Sequence, residues 1–194
     1  NYYDLGLQQK ITPALVLGID TYYKQSADMI DEGQFGAPII LTPFNYRYGK
    51  QYGAEFTVNY TAQALTAYVN LAFQSARGKQ IDSAQFNFAA EDLAYIANNY
   101  IHLDHEQQLT ASGGVSYLWH DTRFSADMLV GSGLRADLDL PPGQTTPYGG
   151  MGIPNGAHLP YYTQINGGIT YVFQIPGSGT FTARFDVING FDRD

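Results

Sequence analysis

The sequence contains no cysteine. That excludes a disulfide framework, thiolate metal ligands and a cysteine nucleophile, and it is compatible with any compartment. Charge is also scarce, at 14% of 194 residues, against ~25% in an ordinary soluble domain. Cations are the rarer sign: 10 Lys and Arg against 18 Asp and Glu leave a net charge of -8. That balance argues against a nucleic-acid partner. No run of ~18 apolar residues occurs, so a transmembrane helix is excluded. The chain begins at Asn1 without a basic and apolar leader, so any signal peptide is expected to be removed or to lie upstream.

What is present is polarity without charge, in Gly, Asn, Gln, Thr and Ser, beside 44% hydrophobic residues with 16 Tyr and 11 Phe. That much burial-competent surface argues against disorder. The dominant pattern has period 2. Leu65, Ala67, Val69, Leu71 and Phe73 alternate with Thr66, Tyr68, Asn70, Ala72 and Gln74. A helix would mix these two sets, whereas a strand separates them. The same alternation recurs from Tyr3, Leu15, Tyr46, Leu109, Phe124, Tyr161 and Phe181, which predicts about eight strands. Several reach ten or more residues, beyond the ~5–6 common in soluble sheets.

The connections alternate in length. Short ones are expected at Lys10–Pro13, Thr61–Ala64, Trp119–Asp121 and Ile175–Gly179. Long loops are expected at Gln25–Pro38, Arg77–Asp104 and Leu134–Pro160, with a helix only over Ala89–Asn98 and irregular structure throughout Leu134–Pro160. All short turns then fall at one end of the sheet and all long loops at the other, the layout of an outer-membrane barrel. Tyr2, Tyr3, Tyr22, Tyr23, Tyr46, Tyr48, Tyr117, Tyr161, Tyr162 and Tyr171 cluster at strand ends, where ring and hydroxyl suit the lipid–water interface. Lys50 interrupts an apolar face near the loop end of its strand.

The polar face carries mostly small residues, with scattered Asp4, Asp20, Arg47, Glu55, Arg123, Asp127, Arg184 and Asp186. A closed eight-strand barrel has a lumen just wide enough to be filled by side chains. These residues would underfill it and suit the wall of a wider, wet lumen. The fold expected is therefore all-β: a transmembrane antiparallel up-and-down barrel of about eight strands, part of a larger barrel. It is expected to form one barrel segment over residues 1–194, without a plug domain.

Three segments carry a family resemblance. Phe185-Asp186-Val187-Ile188-Asn189-Gly190-Phe191-Asp192 resembles the signature before the last strand of TonB-dependent outer-membrane receptors. Asn45–Phe56 resembles the glycine-and-glutamate pattern that opens one of their strands, and Tyr2–Leu7 with Leu17–Lys24 resembles one of their hairpins. The resemblance implies the C-terminal part of a barrel of about 22 strands, with plug, energy-coupling box and closing strand absent from this sequence. It also implies the outer membrane of a Gram-negative bacterium as location and uptake of a scarce large nutrient, such as a ferric siderophore, as function. The implied partners are the bilayer with its lipopolysaccharide, a plug domain, the TonB energy-coupling complex and a small-molecule or metal-chelate ligand. A small passive pore of eight strands and a soluble β-sandwich binding module are the alternative classes.

Candidate ligand-binding residues lie in the expected outer loops. Asp82, Glu91 and Asp92 fall in the longest, and His102, Asp104 and His105 crowd a loop-to-strand junction with Glu106. Loop curvature can bring such groups onto a metal, yet a solvated polar loop end is the plainer reading, and no metal site is assigned. His120 sits in a tight turn and His158 in a Pro/Gly loop. Gly113-Gly114 and Gly167-Gly168 fall within strands, where barrel curvature is the expected reason and ligand or plug contact the alternative. Gly131-Ser132-Gly133 lacks the following helix that a phosphate loop requires. No pattern singles out Ser112, Ser116 or Ser125 as a nucleophile, so neither catalysis nor a cofactor is expected.

Overall fold

The computed structural model describes residues 1–35 and 40–191. In chain order its elements are β1 (Tyr2–Lys10), β2 (Leu15–Phe35), β3 (Ile40–Ala62), β4 (Leu65–Ile81), a 3-10 turn (Gln85–Asn87) and α1 (Ala90–Asn98). Then follow β5 (Ile101–His102), β6 (Leu109–Trp119), β7 (Thr122–Gly131), β8 (Arg135–Asp139), β9 (Gly152–His158), β10 (Tyr162–Ile175) and β11 (Gly179–Val187). One sheet runs β1-β2-β3-β4-β6-β7-β10-β11, with β5 added on β4, and β8 and β9 form a separate two-stranded sheet. Every pairing is antiparallel. The eight long strands match the alternation of the sequence.

Tight turns close one end. Ala62 pairs with Leu65 and Trp119 with Thr122. The first residue of each two-residue turn, Gln63 (φ 35°) and His120 (φ 52°), takes the left-handed conformation that matches hairpin twist. At the first turn Thr12 Oγ1 accepts hydrogen bonds from the N–H groups of Ala14 (3.2 Å) and Leu15 (3.0 Å).

Among the described residues, β1 pairs only with β2 and β11 only with β10, so the sheet has two open edges. Leu17, Ile19, Phe56, Val69, Phe73, Val115, Phe124, Ile169 and Phe173 all remain exposed, on the side of the odd-numbered residues of β4. Among the described residues no second large sheet lies against that side, as a soluble sandwich would require. A continuous apolar face on long tilted strands is what lipid contact demands.

The loop end departs from expectation. The segment expected as a loop from Gln25 continues as strand: β2 is 21 residues long and β3 23, paired out to Phe35 with Ile40. Gly36, Ala37 and Pro38 of that expected loop lie outside the described residues, as do Asp192, Arg193 and Asp194 at the C-terminus. The stretch 77–81, also expected as loop, belongs to β4. Leu134–Pro160 is not irregular throughout, because β8 and β9 pair there around a bulge between Ala136 and Leu138. The helix begins at Ala90, within a residue of expectation.

Tyr46 was expected at the lipid interface and is instead buried, 2% exposed. Asp28 (φ 51°) and Gln80 (φ 59°) take left-handed conformations and are skipped in the pairing, which resumes in the same register, and beyond them side chains change sides. A side chain on Gly78 would collide with the Tyr46 ring, and one on Gly49 with Met29. Both glycines are partners in register and belong to the polar set, so Met29 and Tyr46 lie on the lumen side. There Phe44, Tyr46, Ile81, Ile96 and Ile101 form the buried core, flanked by Phe88, Leu93 and Leu103. Phe44 meets Tyr46 and Phe88 edge-on at 5.0 and 5.1 Å, the favourable geometry for ring quadrupoles.

Strand glycines elsewhere on the polar face serve side-chain room. The Tyr68 ring lies 2.6 Å from where a Gly114 side chain would begin, and the Tyr22 ring 2.8 Å from that of Gly53. The rings lie flat across the sheet and fill gaps that small lumen residues leave.

Candidate functional site

The two long connections, 82–108 and 132–161, pack together as a cap at the loop end. α1 seats Ile96, fully buried, in the lumen-side core, so the cap folds over the lumen mouth. Tyr95 meets Tyr148 edge-on at 6.1 Å, and Glu91 lies against Gly150. This joins the helix to the turn between β8 and β9.

Glu106 ties the cap to the sheet. Its side chain is fully buried. It accepts hydrogen bonds from Arg135 Nη2 (2.5 Å) and Nε (3.2 Å) and from the Ala76 N–H (2.6 Å), and His102 Nδ1 lies 2.7 Å from it. Burial alone pushes this carboxyl up, but the bonds from His102, Arg135 and Ala76 outweigh it and hold Glu106 below its usual range. An ionised Glu106 is thereby fixed as a multivalent acceptor. Arg135 N–H donates to the Asp104 carbonyl (3.0 Å), and Asn155 Nδ2 to the His102 carbonyl (2.8 Å). Both connections are thus held at one buried charge. No spacing rule marks Glu106 and Arg135 as partners, since 29 residues separate them.

The expected ligand residues separate into different roles. His102 turns to Glu106, away from Asp104. Asp104 and His105 converge with Asp31 of β2, their ligand atoms all within 4.8 Å of one another. His105 Nδ1 lies 2.5 Å from Asp104 Oδ1, which also accepts the His105 N–H at 2.8 Å. Burial first, then the neighbouring Asp104 carboxylate, raise Asp31 above its usual value. Desolvation, then the Asp31 and Asp104 carboxylates, raise the Tyr46 hydroxyl strongly. One imidazole and two carboxylates form a donor set suited to a hard or borderline cation. Asp31 was missed because its segment reads as a loop.

The other three candidates have structural partners. Asp82 pairs with Arg47 Nε at 3.2 Å on the surface. Glu91 and Asp92 occupy the first turn of α1, where the helix dipole favours anions. Ala89, the N-cap, offers no side-chain cap, and Asp92 accepts its N–H instead. Burial, then Glu91 and Asp137, raise the Asp92 carboxyl.

The three serines have ordinary partners. Ser112 Oγ accepts from Asn70 Nδ2 (3.2 Å), Ser116 Oγ accepts from Arg123 Nη1 (2.8 Å), and Ser125 Oγ donates to the Gly168 carbonyl (3.3 Å).

No protein-family model and no curated protein matches the sequence. Solved structures do match the fold. The outer membrane transporter YddB from Escherichia coli aligns over 99% of this chain and 28% of its own, with a TM-score of 0.65 at 12% identity. The FrpB iron transporter from Neisseria meningitidis (F3-3 variant) aligns over 99% and 27%, with a TM-score of 0.60 at 14% identity. The chain thus spans little more than a quarter of either neighbour. Such identities establish the fold alone, an antiparallel β-barrel wall like that of these neighbours.

Proposed function

We propose that this chain is wall and outer cap of an outer-membrane transporter that takes up a scarce nutrient as a metal chelate, a ferric siderophore being the class in view. The observation that carries the reading is the sheet itself. An apolar face for lipid backs a polar, aromatic-studded face for a wide lumen, and the whole aligns with transporter barrels. The name of the second neighbour specifies iron, which supports the cargo class. Family resemblance supplies the remaining parts, a plug domain and the TonB energy-coupling complex. Of the loop residues, Asp104 and His105 are the ones that converge, with Asp31 of β2, as a donor set for a ligand at the mouth. Asp82, Glu91, Asp92 and His102 act through the cap that positions them.

The test is uptake in the organism that carries the gene. Cells with and without it are given radiolabelled ferric chelates under iron limitation, with and without a proton uncoupler. Saturable, uncoupler-sensitive accumulation that disappears with the gene is expected. Unsaturable entry indifferent to the uncoupler would replace this reading with a passive pore, and unchanged uptake of every chelate would remove the cargo class. Asp104→Asn with His105→Ala is expected to raise the half-saturating concentration while leaving the protein in the membrane.

A further inference from the structure

Cations are scarce in this chain, yet three of them gather on one small area of its outer wall. Lys50 of β3 stands directly opposite Arg77 of β4, and Lys79 follows two residues further along β4, opposite Tyr48. Like charges directly opposite in a sheet are destabilising, so this placement requires an explanation. All three belong to the lipid-facing set of their strands. Arg77 confirms that side by donating from Nε to Ser75 Oγ at 3.2 Å.

The neighbours of this row supply no anion. In register, Lys50 meets Gln25 on one side and Arg77 on the other. Arg77 meets His102 of β5. Lys50 Nζ lies 4.0 Å and Lys79 Nζ 5.9 Å from the centre of the Tyr100 ring. None of the three cations has a carboxylate partner among the described residues, whereas Arg47, Arg135 and Arg184 all do. Glu106, which binds His102 beside Arg77, has its oxygens taken by His102, Arg135 and Ala76.

The height of the row decides what it faces. Lys50 and Arg77 each stand about twelve residues from the tight turn, or about 40 Å of strand at ~3.3 Å per residue. At the usual tilt of a barrel strand this is about 30 Å above the turn, just past an apolar band ~25 Å tall. The row below agrees: Tyr23 pairs with Tyr52 and Tyr52 with Ser75, the last aromatic step before charge begins. Below that lie Phe73, Phe56 and Leu71. The three cations therefore sit at headgroup level, their stems along the wall and their charges in the polar layer.

We propose that Lys50, Arg77 and Lys79, with Tyr100 beside them, form a binding site on the outer wall for the phosphorylated headgroup of an outer-leaflet glycolipid. A phosphate between Lys50 and Arg77 turns the repulsive pair into two charge-assisted contacts, and Arg77 retains its terminal nitrogens for bidentate recognition. The chain's overall negative charge makes the patch the local exception that an anionic lipid would find. The site rests on the membrane orientation described above and is independent of the transported cargo.

The test uses the full-length transporter in detergent, with bound lipid measured by native mass spectrometry. The probes are bis-phosphorylated lipid A and the same lipid stripped of phosphate. The phosphorylated lipid is expected to bind the unaltered protein, more weakly as salt rises, while inorganic phosphate at equal concentration does not displace it. Replacing all three residues, as Lys50→Gln, Arg77→Gln and Lys79→Gln, is expected to weaken that binding about a hundredfold, at roughly severalfold per cation. Lys10→Gln, at the tight-turn end, is expected to change nothing. Equal binding of both lipids to the unaltered protein would overturn the proposal, even if the triple variant failed to fold. So would full retention of the phosphorylated lipid by a folded triple variant. Displacement by inorganic phosphate would overturn it as well, identifying a simple anion site.

Discussion

The lower and upper parts of the same strands obey different rules. Near the tight turns, alternation is strict because one face meets lipid and the other a wet lumen. Leu71, between Phe56 and Ala111 in register, has no polar option, and Asn70 beside it bonds Ser112. Beyond Asp28 and Gln80 no lipid constrains the outer face. Side chains there change sides, and Tyr46 and Met29 swing over glycines to build a small core beneath the cap. A barrel wall is therefore specified by its solvent twice, once by hydrocarbon and once by water, and left-handed residues within β2 and β4, Asp28 and Gln80, mark the junction between the two regimes.

The largest effect separating the regimes is expected at the buried charge of the cap. Glu106→Ala leaves Arg135 buried without a partner, a loss of about 3–5 kcal/mol when a buried pair is broken. The loss should be local: hydrogen exchange over 82–108 and 132–161 should speed up while β6 and β7 stay protected. Loss of protection throughout the sheet would show that cap and wall are one cooperative unit.

In the wall, Leu71→Arg is expected to cost roughly 2–4 kcal/mol in a folding titration into lipid, and Asn70→Arg much less. Equal costs would reverse the assignment of faces. At the junction, Gly78→Ala should destabilise by about 1–3 kcal/mol through overpacking against Tyr46. Tyr46→Ala in the same protein should remove most of that penalty, and additive losses would place the two residues on different sides of the sheet.

The smallest effect is that of pH. Glu106 has a carboxyl held below its usual range, so its contribution is complete above the unfolded value, ~4.3, and is lost as pH falls through the lower folded value. Asp31 and Asp92 are raised, so their protonation on acidification favours the folded cap and partly offsets that loss. Hydrogen exchange of the cap, followed from neutral pH downward, should therefore show only a shallow loss of protection, and a steep loss beginning above the ordinary carboxylate range would contradict it.

The wall was legible because lipid imposes a period on every residue it touches. The extension of β2 was not, because Gln25–Glu32 carries no strict alternation once lipid no longer lies on one side; pairing with β3 and the packing of Met29 on the lumen-side core hold it. The hairpin of β8 and β9 was hidden by Pro154 and Gly156, tolerated because that strand pairs on one side only and bulges there. Of the candidate site, Asp104 and His105 were visible as neighbours in sequence. Asp31 and the Glu106–Arg135 tie depend on distant contacts that no local pattern records.

The absence of cysteine lets the two faces of β4 be probed one residue at a time. Single cysteines placed at each position from Leu65 to Gln74, in a full-length protein freed of other cysteines, can carry a fluorophore read against a lipid-borne quencher and an aqueous one. Quenching by lipid is expected at Leu65, Ala67, Val69, Leu71 and Phe73, and by the aqueous quencher at Thr66, Tyr68, Asn70, Ala72 and Gln74. Uniform access from water at both sets would contradict a membrane wall.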